Sequence, residues 1–106
     1  MKKIIYLFFA ISIFHNFTFG QWVQQTSGVS AGLTEVRFIN QNTGWVCGNG
    51  GTILKTTNGG LNWVTQNSGV PSKPLRDIQP IDSNLVYCVG WFETILKSTD
   101  GGSSWF

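Results

Sequence analysis

A long internal repeat is the feature that most restricts what this 106-residue chain can fold into. Trp22-Val23-Gln24-Gln25-Thr26-Ser27-Gly28-Val29 returns 41 residues later as Trp63-Val64-Thr65-Gln66-Asn67-Ser68-Gly69-Val70. After one inserted residue the offset becomes 42, matching Leu33 with Leu75, Ile39 with Ile81, Asn42 with Asn84 and Gly48 with Gly90. Thr52-Ile53-Leu54-Lys55 then reappears unchanged as Thr94-Ile95-Leu96-Lys97. A period of about 40 to 45 residues is that of one four-stranded propeller blade. Such a unit cannot bury both of its faces alone, so it requires neighbours of its own kind.

The local signals fit a blade. Leu33 to Ile39 and Leu75 to Ile81 read as first strands, the second weakened by Pro80, which has no amide donor. Gly44 to Cys47 and Leu85 to Val89 read as second strands, Thr52 to Thr56 and Thr94 to Ser98 as third, and Trp63 to Asn67 as a fourth. Asn58-Gly59-Gly60 and Asp100-Gly101-Gly102 supply hairpin turns between third and fourth strands. Nothing repeats with the 3.6-residue period of an amphipathic helix. The expected fold is all-β, a partial β-propeller of about two four-stranded antiparallel blades. Trp22 to Thr26 aligns with a fourth strand, which makes residues 21–32 a closing strand and loop. Blade one spans 33–67, an inter-blade loop 68–74, and blade two 75–106, barely entering its fourth strand. Two blades are too few for a stable ring, so the expectation is a fragment of a longer propeller.

The eight residues from Ser98 to Trp105 have the form Ser-x-Asp-x-Gly-x-Ser-Trp and resemble an Asp-box, the turn motif of bacterial neuraminidase-type repeats. The wider pattern Gly-x-x-x-Thr-Ile-Leu-Lys-Thr/Ser-Thr-Asn/Asp-Gly-Gly-x-x-Trp resembles the repeats of the photosystem II stability/assembly factor family across residues 22–106. That resemblance implies an exported binding or scaffold propeller rather than an enzyme. It marks Thr56, Asn58, Gly60 and Trp63 in one copy, and Ser98, Asp100, Gly102 and Trp105 in the other, as structural turn positions. The first copy departs from the motif, with Asn58 for the aspartate and Asn62 for the hydroxyl residue. Both amides can still bond turn N–H groups, so the turn survives and a charged site does not.

Residues 1–20 read as an export signal: Lys2 and Lys3, an apolar run from Ile4 to Phe14, and a small-residue exit at Thr18-Phe19-Gly20. The run is too short to span a bilayer, which takes about 20 apolar residues. Its removal leaves 86 residues carrying five basic and five acidic side chains, no histidine, and no membrane span. Histidine-based acid–base catalysis and imidazole metal ligation are excluded, and a neutral chain is no nucleic-acid binder. No catalytic, cofactor or metal residue is assigned, and the expected location is periplasmic, cell-surface or secreted.

A sialidase-type hydrolase is the enzyme alternative, its catalytic groups lying outside this chain. Here only Arg37, Arg76 and Tyr87 match its residue types, and Glu35 and Asp77 read more simply as strand salt-bridge partners. The Asp100 and Asn58 side chains are expected to cap their own hairpins. Function on repeat scaffolds sits where repeats differ. Gly48-Asn49-Gly50-Gly51 becomes Gly90-Trp91-Phe92-Glu93 in the second copy, so Lys73, Trp91, Phe92 and Glu93 form the candidate binding rim. The partner is a protein or carbohydrate, beside further blades of the same polypeptide; packing of Trp91 or Phe92 on a neighbouring blade is the structural alternative. Cys47 aligns with Val89 and Cys88 with Val46, one register step apart. Facing blades would bring them into one interface or set them on outer faces, and two buried free thiols are preferred to a disulfide.

Overall fold

The computed structural model describes residues 22–106, so the export segment lies outside the described residues. Seven strands form two antiparallel sheets: β1 (Leu33–Phe38), β2 (Gly44–Gly48), β3 (Thr52–Thr56) and β4 (Val64–Asn67) in order β1-β2-β3-β4, then β5 (Leu75–Pro80), β6 (Val86–Gly90) and β7 (Ile95–Ser98) in order β5-β6-β7. The architecture is the expected partial propeller. In blade two, Phe106 and Lys97 exchange backbone hydrogen bonds of 3.0 and 2.8 Å beside β7, on the side where β4 pairs with β3 in blade one. Pro80 does not break β5: it pairs with Val86 at the end of an edge strand, where a missing N–H costs little. The two blades share one irregularity, a register slip between Leu33 and Glu35 and between Leu75 and Asp77.

Alternation along the strands gives each blade two distinct faces. One face of blade one carries Arg37, Trp45 and Lys55 in one cross-strand row and Glu35, Cys47 and Ile53 in the next. The opposed face of blade two carries Ile78, Cys88 and Leu96 beside Pro80, Val86 and Ser98. These two faces meet, and Trp45, Cys47, Ile53, Leu75, Ile78, Val86, Cys88 and Leu96 form the buried core. Trp45 is wholly buried and its indole Nε1 donates to the Gly101 carbonyl at 3.0 Å, tying β2 to the terminal turn of blade two. Lys55 Nζ lies 5.1 Å from the centre of the Trp45 ring. At the inner edge, Thr34 Oγ1 donates to the Leu75 carbonyl at 2.8 Å.

The turns before Trp63 and Trp105 have one geometry. Ser98 Oγ accepts from Gly102 N at 2.7 Å and donates to Asp100 Oδ1 at 2.8 Å, while Asp100 Oδ1 accepts from Ser104 N at 2.9 Å. In blade one Thr56 Oγ1 accepts from Gly60 N at 2.9 Å and donates to Asn58 Oδ1 at 3.0 Å, which accepts from Asn62 N at 2.9 Å. An amide thus replaces the carboxylate without changing the turn. Gly102 (φ +98°) and Gly60 (φ +90°) are left-handed, and a Cβ on either would run into the amide of Gln66 or Gln25, respectively.

Gln25 and Gln66 are repeat equivalents, so residues 22–27 lie where the fourth strand of a preceding blade would lie. They are not a strand, however: residues 22–32 pair with no strand among the described residues. A fourth strand bonds to the third strand of its own blade, and none precedes Trp22 in the described residues. Side-chain packing on Gly60 is what remains of the expected closing strand.

Two outcomes follow. Gly102→Ala combines a left-handed backbone with overlap on Gln66 and lowers stability by at least about 1 kcal/mol, read as a fall in the urea midpoint. Hydrogen bonds from Ser104 and Ser98 hold the Asp100 carboxyl down from an ordinary 3.8 to about 2. Its stabilisation is therefore complete above pH 3.8 and is lost as pH falls toward 2. Asp100→Asn, which copies Asn58, flattens this part of the midpoint-versus-pH curve; the residual slope comes from Asp82, whose pKa is lowered by the Leu85 and Asn84 amides.

Candidate functional site

The turn joining β6 to β7 departs most from its counterpart. Gly50 and Gly51 in blade one both have φ +65°, and blade two keeps this left-handed pair with side chains on it, Phe92 at φ 58° and Glu93 at φ 59°. Left-handed non-glycine residues cost about 1–2 kcal/mol each, so the conformation is imposed by its surroundings. Gly90 N donates to Thr94 O at 2.9 Å, Thr94 Oγ1 to Trp91 O at 2.8 Å, and Trp91 N to Pro74 O at 3.0 Å. These bonds clamp the turn at both ends and to the inter-blade connection.

The turn displays its aromatic rings outward. Trp91 is 56% and Phe92 67% exposed, and their rings meet edge to face at 6.4 Å and 67°. The Arg76 guanidinium stacks 4.7 Å from the Trp91 ring centre, and Lys73 Nζ sits 5.3 Å from that of Phe92. Lys73, Trp91 and Phe92 thus come together, and Glu93 is exposed on the same turn. Arg76 was not among the rim residues expected from the sequence. It lies in the register slip of β5, which re-aims a side chain from the strand toward the rim. Its signal is a correlated departure from the repeat: Thr34 becomes Arg76 where Asn49 becomes Trp91 and Gly50 becomes Phe92.

The remaining candidates are occupied locally. Asn58 and Asp100 spend their acceptors on their own turns. Trp105 donates from Nε1 to Gly102 O at 3.0 Å, and Trp63 packs edge to face on Phe38 at 5.9 Å. Arg37 lies 3.5 Å from Glu35 and 3.9 Å from Asp77, the salt-bridge role anticipated for both acids. Tyr87 lies on the outer face of blade two with Lys97 Nζ 5.9 Å from its ring centre. No cluster of three metal-ligating side chains occurs among the described residues.

Cys47 and Cys88 face each other in the inter-blade core as buried free thiols. Hydrogen bonding between them lowers the Cys47 pKa, with Thr34 adding to the effect, and raises that of Cys88, which burial raises further.

On the other side of blade one an open cavity of about 420 Å³ is lined by Leu33, Val36, Val46, Leu54, Trp63 and Gln25, among others. In blade two the equivalent face is covered by blade one.

Residues 14–106 match the family model described as photosynthesis system II assembly factor YCF48. The fold is similar to a solved structure of YCF48 bound to D1 peptide, with TM-score 0.65 and 26% identity over 79% of this chain and 27% of that one. It is also similar to YCF48 from Cyanidioschyzon merolae, with TM-score 0.61 and 24% identity over 71% of this chain and 26% of that one. The chain therefore spans about a quarter of the solved chains it matches. No curated protein matches it. Because the family match takes in both blades and the solved neighbours share their fold, this chain belongs to the photosynthesis system II assembly factor YCF48 family.

Proposed function

We propose that this chain is part of an exported, non-enzymatic β-propeller that binds a protein partner at its rim and serves as a scaffold for it. The observation that carries the reading is the blade-two rim turn, which presents Trp91 and Phe92 to solvent on a strained backbone where blade one uses glycines. Backbone strain of this kind clusters at binding and ligand-clamping sites. A protein partner rather than a carbohydrate is supported by the solved family member with a bound D1 peptide. The export reading rests on the Lys2-Lys3 start, the apolar run and the small-residue exit.

Further blades cover the two outer faces. Tyr87, Val89 and Ile95 are 37%, 41% and 71% exposed, yet their equivalents Trp45, Cys47 and Ile53 are wholly buried under blade two. The cavity beside Val36 and Leu54 is the matching seat for a preceding blade.

A photo-crosslinking residue at position 92 of the protein in its producing cells captures a protein adduct, whereas one at the exposed Leu61 does not. Trp91→Ala with Phe92→Ala changes the unfolding free energy by no more than about 0.5 kcal/mol, as for surface positions. A large fall in stability with no adduct at position 92 would instead make the two rings packing residues. Mass spectrometry of the exported protein shows a chain beginning at Gln21; a retained Met1 to Gly20 segment contradicts export by cleavage.

A further inference from the structure

The blade-one turn shows what normally lies over this part of the rim. There the connection to the next blade crosses the turn: Gly51 N donates to Lys73 O at 2.8 Å, and a Cβ on Gly51 would run into the Val70 carbonyl and the Ser68 hydroxyl. Glycine is required because backbone passes against it. Blade two carries Glu93 at that position, so a following connection on the same course would collide with the Glu93 side chain. The glycine-dependent crossing seen in blade one is therefore not available over this turn, where Trp91 and Phe92 are 56% and 67% exposed.

The uncovered platform has a definite chemistry. Arg76 and Lys73 have no carboxylate within salt-bridge distance among the described residues, whereas Arg37 has two. Both cations lie over ring faces, which orients them without neutralising their charge. An arginine fork so placed suits a planar carboxylate, and the adjoining rings suit an apolar side chain. Resting on the protein-binding reading above, we propose that Arg76, Lys73, Trp91 and Phe92 form a docking platform for a polypeptide segment that alternates acidic with apolar residues.

Fluorescence anisotropy on the full chain tests this with a labelled peptide alternating Glu with Leu and Phe, the same peptide with Lys for Glu, and a neutral cello-oligosaccharide as competitor. The acidic peptide binds and is released by salt, while the lysine peptide and the sugar do not bind. Arg76→Gln weakens binding roughly 10- to 100-fold and Trp91→Ala at least roughly 10-fold. Phe92→Gly relieves the left-handed strain, raising the folding equilibrium roughly fivefold while weakening the peptide. A folding defect therefore cannot account for its lost binding. Equal binding of both peptides, unchanged affinity in Arg76→Gln or Phe92→Gly, or preference for the sugar overturns the proposal. An adduct at position 92 without acidic-peptide binding rejects this ligand chemistry alone; absence of both rejects the protein-binding reading too.

Discussion

The structure depends on covering a sheet that is apolar on both faces. Each blade is a small antiparallel sheet too thin to hold a core inside itself, so its core lies between blades. Trp45 makes this concrete. Its ring is buried against blade two, its cost of burying an N–H is met by the Gly101 carbonyl, and Lys55 lies over its ring. Removing a side chain of this size from a core costs about 3–5 kcal/mol, a large part of what a small domain has. The glycine turn of blade two is thereby fixed in space by a residue of blade one.

The elements of this joint recur elsewhere in the repeat. Tyr87 and Lys97 reproduce Trp45 and Lys55, with the same stacking of cation over ring but no turn to bond. Gln25 on Gly60 reproduces Gln66 on Gly102. The chain therefore displays one complete joint, and its outer surfaces carry large apolar side chains at positions equivalent to that joint. Buried thiols fit this economy: Cys47 and Cys88 fill the joint at positions where the repeat otherwise places valine.

Much of this was legible in the residues themselves, because the repeat made each element appear twice. The strands, the hairpin turns and the meeting of Lys73 with Trp91 and Phe92 follow from comparing one copy with the other. Residues 22–32 pair with no strand among the described residues, because alignment with β4 carries the side-chain pattern but not the hydrogen-bond partner that makes a strand. Arg76 falls within a first strand in the sequence, and period-two reasoning does not see the register slip that turns it to the rim. The left-handed Phe92 and Glu93 were visible only as a loss of glycines; that the backbone kept the glycine conformation is a property of the clamp by Pro74 and Thr94.

The most direct test of the joint is hydrogen exchange of the tryptophan indoles, followed by nitrogen-15 NMR on the full chain. Burial against Gly101 predicts that the Trp45 Nε1–H exchanges slowest of the five, and only as fast as global unfolding allows. Exchange of Trp45 at the rate of the exposed Trp22 or Trp91 would show that the blades do not meet through this residue, and the inter-blade core described above would be wrong.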